Sequence, residues 1–213
     1  MAGSFQPDAL YPIVDVTRSP EEAVSLAEQL LSAGASWLQL RDKISPSTRF
    51  LALANELVRR AGRRGARLIV NDRLDVAIAS GAAGVHLGQD DLPLSVVRPI
   101  ARERGLVVGI STHEIAEALA AEAGGADYIG FGPMFPTPTK ADALPPRADG
   151  ALAAVRTAVR LPIVAIGGIT LATAAGVLSA GADSVAMIGA LAHASDPEAA
   201  AHEVLALGRL QRS

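Results

Sequence analysis

Eight short apolar runs, each followed by a segment of helical character, set the rhythm of this chain. In order they are Leu10–Val16 (LYPIVDV), Trp37–Asp42 (WLQLRD), Arg67–Asp72 (RLIVND), Val85–Gly88 (VHLG), Leu106–Ser111 (LVVGIS), Tyr128–Gly132 (YIGFG), Pro162–Ile166 (PIVAI) and Ser184–Ile188 (SVAMI). All are short and rich in β-formers, so each predicts a strand. Helix starts stand between them. Ser19-Pro20-Glu21-Glu22 offers an N-cap, a first-turn proline and acidic residues, and Ser45-Pro46 opens a helix expected to run to about Arg60. Leu74–Ser80 predicts a short helix stopped by Gly81. Before several strands comes a shared tag, a glycine stop with small residues: SAGAS from 32, SGAAG from 80, EAGGAD from 122 and SAGADS from 179. Eight alternations predict an α/β fold, a parallel (β/α)8 TIM barrel, with an open doubly wound sheet as the alternative. A single domain over 1–213, with a core of about 10–207, is expected.

Loops past the C-terminal strand ends carry function in such a barrel. Alternation in the second strand sends Leu38 and Leu40 to the helix layer and Trp37, Gln39 and Arg41 inward, where polar groups are costly unless they face a ligand. The plain alternative for Arg41 is a surface pair with Asp42. Asn71-Asp72 end the third strand and Gly88-Gln89-Asp90-Asp91 follow the fourth, so carboxylates from neighbouring strands can share a hard cation. Oxygen-only ligands suit Mg2+. Asp91 is taken as the ligand and Asp90 as the bystander, against the alternative of an N-terminal cap for a helix beginning near Pro93. His86 points inward and reads as a hydrogen-bonded core residue. Ser111 and Thr112 read by default as caps of a helix from Glu114, with His113 beside them at the mouth.

The stretch Tyr128–Lys140 (YIGFGPMFPTPTK) begins as a strand and breaks into a proline-stiffened loop carrying Thr137, Thr139 and Lys140. Gly167-Gly168 after the seventh strand and Gly189-Ala190 after the eighth let backbone N–H groups approach a phosphate. Of 19 basic residues only Lys43 and Lys140 are lysines, and both fall on this functional face. Cations, a metal-ready carboxylate pair and a glycine nest predict a site for more than one phosphate.

Composition narrows the classes. A net charge of -3 without basic runs argues against a nucleic-acid partner. The absence of cysteine excludes disulfides, thiolate catalysis and zinc-thiolate sites. No run is long enough to span a bilayer, and the first ten residues, with Asp8 and no apolar core, predict no secretory signal. A cytoplasmic protein without a membrane partner is expected, with a homo-oligomer left open.

Taken together, QLRDK at 39–43, ND at 71–72, GVHLGQDD at 84–91, GIST at 109–112, GFGPMFPTPTKADA at 130–143, VAIGGI at 164–169 and GADSVAMI at 181–188 resemble the thiamine phosphate synthase family, from about Leu10 to Pro197. The resemblance implies a Mg2+-dependent transferase. It would join a phosphorylated pyrimidine, 4-amino-5-hydroxymethyl-2-methylpyrimidine diphosphate, to hydroxyethylthiazole phosphate, with pyrophosphate leaving first. By matching position, Asp72 and Asp91 would hold the metal. Arg41, Lys43, Asn71 and Lys140 would hold the diphosphate, with Gln39 and Ser111 near the pyrimidine. Thr137, Thr139, Gly168 and the Ile188-Gly189 turn would hold the thiazole phosphate. Arg41, Lys43, Lys140 and Ser111 would form the catalytic set. Two departures stand out: Gly189 where the family commonly has serine, and LYPIVD for the usual LYLITD. The alternatives are a thiazole tautomerase of the same barrel family, using a histidine such as His113 and no metal, and a non-catalytic barrel that binds phosphorylated ligands.

Overall fold

The computed structural model describes residues 5–16, 19–137, 145–147 and 150–210. Eight parallel strands close into one barrel in sequence order: β1 (Leu10–Asp15), β2 (Trp37–Arg41), β3 (Arg67–Asn71), β4 (Gly84–Leu87), β5 (Val107–Thr112), β6 (Tyr128–Phe131), β7 (Ile163–Ala165) and β8 (Ser184–Met187). The closed (β/α)8 barrel is therefore the architecture, and the open sheet is excluded. The connecting helices are α1 (Pro20–Ser32), α2 (Ser47–Arg63), α3 (Leu74–Ser80), α4 (Leu94–Arg104), α5 (Ile115–Ala123), α6 (Ala151–Ala158) and α7 (Leu171–Ser179), with a short α8 (Gly189–Ala192) and a final α9 (Pro197–Leu210) after β8. Among the described residues no helix is long and apolar enough to cross a membrane.

Local chemistry explains the element ends. Ser19 accepts a hydrogen bond from the Glu22 N–H at 3.2 Å and Pro20 is the first helical residue, as the sequence predicts. The tag glycines Gly34, Gly81, Gly125 and Gly181 all have positive φ, 68° to 115°, the conformation that lets each chain leave its helix and enter the next strand. Helix α2 runs three residues past the expected Arg60, to Arg63: Gly62 stays in the helix, and the positive-φ glycine that lets the chain leave comes only at Gly65, with φ of 72°. Its N-cap is Pro46, with no side-chain cap.

Side chains sort into two layers by strand alternation. Leu10, Val14, Leu38, Leu40, Leu68, Val70, Val85 and Leu87 face the helices and join the outer core. Tyr11, Ile13, Trp37, Ile69, Val107, Tyr128, Val164 and Ala186 fill the barrel. Tyr128 needs a bare neighbour: a Cβ on Gly109 would lie 2.1 Å from its ring, so glycine is the residue that fits on β5. Phe5 closes the floor, a feature the strand pattern does not announce. Its ring stacks on Tyr128 with centroids 4.0 Å apart and lies 4.8 Å from Trp37, whose indole N–H donates to the Gln6 carbonyl at 3.0 Å.

The Phe5 plug carries a stability prediction. Phe5→Ala is expected to destabilise the protein by about 3–5 kcal/mol, the cost of emptying a buried aromatic site, in urea unfolding followed by circular dichroism. A loss under about 1 kcal/mol would show that the floor closes without it.

Candidate active site

The strand register builds the mouth of the barrel. Asp15 on β1 is paired in register with Arg41 on β2, and both point inward. Nη1 of Arg41 donates to both carboxylate oxygens of Asp15, at 2.8 and 2.7 Å, with little of either side chain exposed. The alternative Arg41–Asp42 pair does not form. Asp42 instead accepts the N–H groups of Ile44 and Ser45 at 3.0 and 2.9 Å, a turn that carries the chain toward α2. Asp15 was missing from the sequence expectations, although Tyr11, Ile13 and Asp15 alternate inward along β1.

Asp72 sits one residue past β3 with φ of 63°, the one non-glycine residue with positive φ among those described. Asp tolerates this left-handed conformation, and the Asp72 N–H is anchored on the His86 carbonyl at 2.7 Å across β3 and β4. Its carboxylate forms an ion pair with the Lys43 ammonium, which reaches over from the β2 loop. Asp91 turns back from the β4 loop so that its Oδ2 accepts the Gly88 N–H at 2.6 Å. Partial burial pushes the Asp91 carboxyl up, the neighbouring Asp72 carboxylate adds to the rise, and the Gly88 N–H and Lys43 oppose it. Asp90 is exposed, and α4 starts at an N-cap of Pro93 without side-chain capping, so neither aspartate serves as a helix cap.

Two further expectations are corrected. Ser111 and Thr112 do not cap α5, whose N-cap is Glu114. Ser111 Oγ instead lies 2.9 Å from His86 Nε2, and the buried Thr112 hydroxyl donates to the Gly130 carbonyl at 3.1 Å. Both residues still belong to β5, so Ser111 points into the barrel while Thr112, on the opposite face, bonds back to the neighbouring strand β6. His86 is a hydrogen-bonded interior residue, as expected, with Nδ1 3.0 Å from the Tyr128 hydroxyl. Gln39 is buried and donates to the Tyr11 hydroxyl at 3.3 Å. Asn71 ends β3 beside this layer, paired in register with His86.

Across the mouth, the loop after β6 runs along the end of β7. Met134 N–H donates to the Ile166 carbonyl and Phe135 N–H to that of Gly167, both at 2.9 Å. This close approach demands the glycine pair: a Cβ on Gly167 would lie 2.5 Å from Pro133, and one on Gly168 would lie 2.4 Å from the Pro136 carbonyl oxygen. The half-buried Thr137 rides on this loop. Thr139 and Lys140 lie outside the described residues. Ile188 and Gly189 sit at the end of β8, where α8 begins. A Cβ on Gly189 would meet only ordinary contacts with His193 at 3.5 and 3.8 Å, so a serine would fit and its absence is not forced by packing.

Arg147 is the mouth residue that sequence reasoning passed over. Its N–H donates to the Pro133 carbonyl at 2.8 Å and its guanidinium to the His113 and Pro145 carbonyls at 3.2 and 2.6 Å. It thereby ties the far end of the β6 loop to the β5 loop. His113 itself is held twice, by Glu117 on its N–H at 2.5 Å and by the Gly132 carbonyl on Nδ1 at 2.8 Å. No sequence pattern marks Arg147, since it pairs with carbonyls rather than with a motif partner.

These groups gather around one opening at the C-terminal ends of the strands, and comparison with known proteins places the chain. The family model described as thiamine monophosphate synthase matches residues 10–191. The chain belongs to the thiamine monophosphate synthase family. The thiamine-phosphate synthase of Methanospirillum hungatei is 47% identical over 195 residues, covering 91% of this chain and 94% of that one. Its counterpart in Shouchella clausii is 42% identical over 203 residues, 95% of this chain and 97% of the other. Among solved structures, the thiamine phosphate pyrophosphorylase of Pyrococcus furiosus superposes with a TM-score of 0.82 at 32% identity, over 96% of this chain and 98% of its own. The transferase fold and function expected of this family thus agree with the barrel described here.

The raised Asp91 carboxyl has a consequence for stability. A carboxyl whose value rises on folding loses stability as it ionises, so the penalty is absent below the ordinary value of 3.8 and complete above the raised one. Asp91→Asn is therefore expected to raise the thermal midpoint of the ligand-free protein at pH 7. That gain should vanish as the pH falls through the raised value toward 3.8, a dependence that differential scanning calorimetry would follow. A lower midpoint for the variant at pH 7 would contradict the assigned direction.

Proposed function

We propose that the protein is a Mg2+-dependent thiamine-phosphate synthase that joins 4-amino-5-hydroxymethyl-2-methylpyrimidine diphosphate to hydroxyethylthiazole phosphate, releasing pyrophosphate. The observation that carries the reading is the Asp72 and Asp91 pair with Lys43 past neighbouring strands, opposite the glycine-lined ends of β7 and β8. Two adjacent carboxylates with one ammonium are under-compensated, and among the described residues no third acidic or histidine ligand joins them. That donor set fits Mg2+, which takes one or two carboxylates and completes its shell with water and phosphate oxygens. When bound there, the ion would neutralise charge on the departing diphosphate.

The chain's own residues do the rest. Arg41, fixed by Asp15 through Nη1 alone, keeps Nη2 and Nε for diphosphate oxygens. Lys43 moves between Asp72 and a phosphate oxygen, Asn71 adds an amide, and Lys140 comes from the β6 loop. In the reaction the C–O bond between the pyrimidine methylene and the diphosphate breaks, and its electron pair leaves with the diphosphate. The thiazole nitrogen then shares its lone pair with the methylene carbon, forming the C–N bond. Neither step moves a proton, so the residues are asked for charge and position rather than for a general base. Thr137, Thr139, Gly168 and the Ile188-Gly189 turn hold the thiazole phosphate. Gly189 contributes backbone alone where the family commonly offers a hydroxyl, which weakens that grip without touching the chemistry. The reading places the enzyme in the cytoplasm, among phosphorylated metabolites.

Incubating both substrates with Mg2+ and following thiamine phosphate by chromatography tests the reading. Turnover is expected in the parent and lost with EDTA, and Asp72→Ala is expected to abolish it while circular dichroism stays unchanged. His113→Ala should cost only a few-fold, because no proton is transferred. A loss beyond about a hundredfold, the scale of a working acid–base group, together with indifference to EDTA, would favour the tautomerase reading instead.

A further inference from the structure

We propose that Tyr11, Tyr128 and His86 are positioning residues that hold the Ser111 hydroxyl as a hydrogen-bond donor, aimed at a lone pair on the substrate such as a pyrimidine ring nitrogen. Only the identity of that substrate rests on the synthase reading. The inference starts from an unbroken chain of polar groups running from the barrel interior to its mouth. Gln39 Nε2 lies 3.3 Å from the Tyr11 hydroxyl, which lies 2.9 Å from that of Tyr128. The Tyr128 hydroxyl lies 3.0 Å from His86 Nδ1, and His86 Nε2 lies 2.9 Å from Ser111 Oγ.

Hydroxyl and imidazole hydrogens are assigned by completing such a network, and this one has a direction. The Gln39 amide nitrogen can only donate, so it fixes the Tyr11 oxygen as an acceptor. The Tyr11 hydrogen then needs an acceptor of its own. Among the described residues the Tyr11 hydroxyl touches only Gln39 and Tyr128, so its hydrogen goes to the Tyr128 oxygen. The Tyr128 hydrogen is passed in turn to His86 Nδ1. With Nδ1 accepting, the neutral ring carries its hydrogen on Nε2 and donates it to Ser111 Oγ. The hydrogen of Ser111 is left for the mouth.

The opposite polarity fails on burial. With the Gln39 amide nitrogen turned to Tyr11, as in this structure, it would have Nδ1–H donate to Tyr128 and Tyr128 donate to Tyr11, stranding the Tyr11 hydrogen at 1% exposure. A buried donor left without a partner forfeits the hydrogen bond it makes to water in the unfolded chain. Both phenols also stay protonated, because burial pushes Tyr11 and Tyr128 far up from their ordinary 10. The geometry around His86 is equally fixed. A Cβ on Gly130 would lie 3.1 Å from its Cε1, so the ring packs close against bare backbone on β6. From the neighbouring loop, the Gln89 amide donates to the Ser111 carbonyl at 2.5 Å and holds its backbone in place.

This arrangement gives His86 and the tyrosine pair work that neither the barrel packing nor the transfer chemistry requires. An amino-pyrimidine presents both ring-nitrogen lone pairs and N–H donors along its edge. A serine whose hydrogen is left for the mouth donates to the first, which favours the ring orientation that brings a ring nitrogen to it.

Long-range 1H–15N correlation spectra of the intact, uniformly labelled protein without substrate read the arrangement directly. The four histidines are distinguished by the loss of one ring system in His86→Gln. A ring with hydrogen on Nε2 and a bare Nδ1 is expected for His86, and Tyr128→Phe should abolish that fixed preference. An Nδ1–H ring in the parent, or a preference unmoved by Tyr128→Phe, would overturn the proposal. Kinetics supply a second arm. His86→Asn, whose amide reaches only the Nδ1 position, should raise the KM for the pyrimidine diphosphate by about tenfold, the scale of one hydrogen bond, at a nearly constant single-turnover rate. His86→Gln, which restores a donor near the Nε2 position, should recover most of that loss. Equal damage from both variants would also overturn it. Because the spectra need no substrate, an inactive parent with the expected ring would count against the synthase reading and leave this proposal standing.

Discussion

Two carboxylates, Asp72 and Asp91, held side by side over the ends of β3 and β4 with a single ammonium between them and neutrality, are the constraint on which the rest of the site turns. Like charges at this distance are unfavourable, and partial burial of Asp91 makes them more so. The fold holds them together by backbone means. The Asp72 N–H is tied to the His86 carbonyl, the Asp72 backbone is bent into a left-handed conformation, and Asp91 is folded back onto the Gly88 N–H. Stability is given up to keep two negative charges at one point, which the proposed reading assigns to a cation and a diphosphate. Lys43 and Arg41 surround that point from β2, and Asp15 keeps Arg41 from collapsing onto the aspartates.

The opposite rim shows the complementary economy. At the end of β7 the side chains are absent, at Gly167 and Gly168. These glycines are required first by packing, because the β6 loop lies directly on them. One pair of residues thus serves two demands, seating the loop that carries Thr137 and opening the strand end. Arg147 closes the arrangement by linking the β6 loop to the β5 loop through carbonyl groups. The loop after β6 is therefore anchored at Met134 and Phe135 on the end of β7 and again at Arg147.

Much of this was legible in the sequence because it follows from periodicity. Eight apolar runs and their glycine stops give the barrel, and alternation along β2 separates Leu38 and Leu40 from Trp37, Gln39 and Arg41. What escaped was set by register and by loop geometry. Asp15 becomes the partner of Arg41 only because β1 and β2 pair those two positions, and Asp42 becomes a turn former because its own backbone turns first. Ser111 and Thr112 look like caps by local rules, but both belong to β5, and alternation sends Ser111 inward to His86 and Thr112 to the opposite face, where its hydroxyl meets the Gly130 carbonyl. Phe5, before the first strand, belongs to no period and finds its place only when Trp37, Tyr11 and Tyr128 converge on the floor.

The central claim is that Asp72 and Asp91 form a site whose charge is completed by a metal ion and a diphosphate together. Isothermal titration calorimetry of pyrophosphate into the protein, with and without Mg2+, tests it most directly. The account predicts tight binding that requires Mg2+ in the parent and is lost in Asp72→Ala. Pyrophosphate binding of equal strength in the presence and absence of Mg2+ would contradict it.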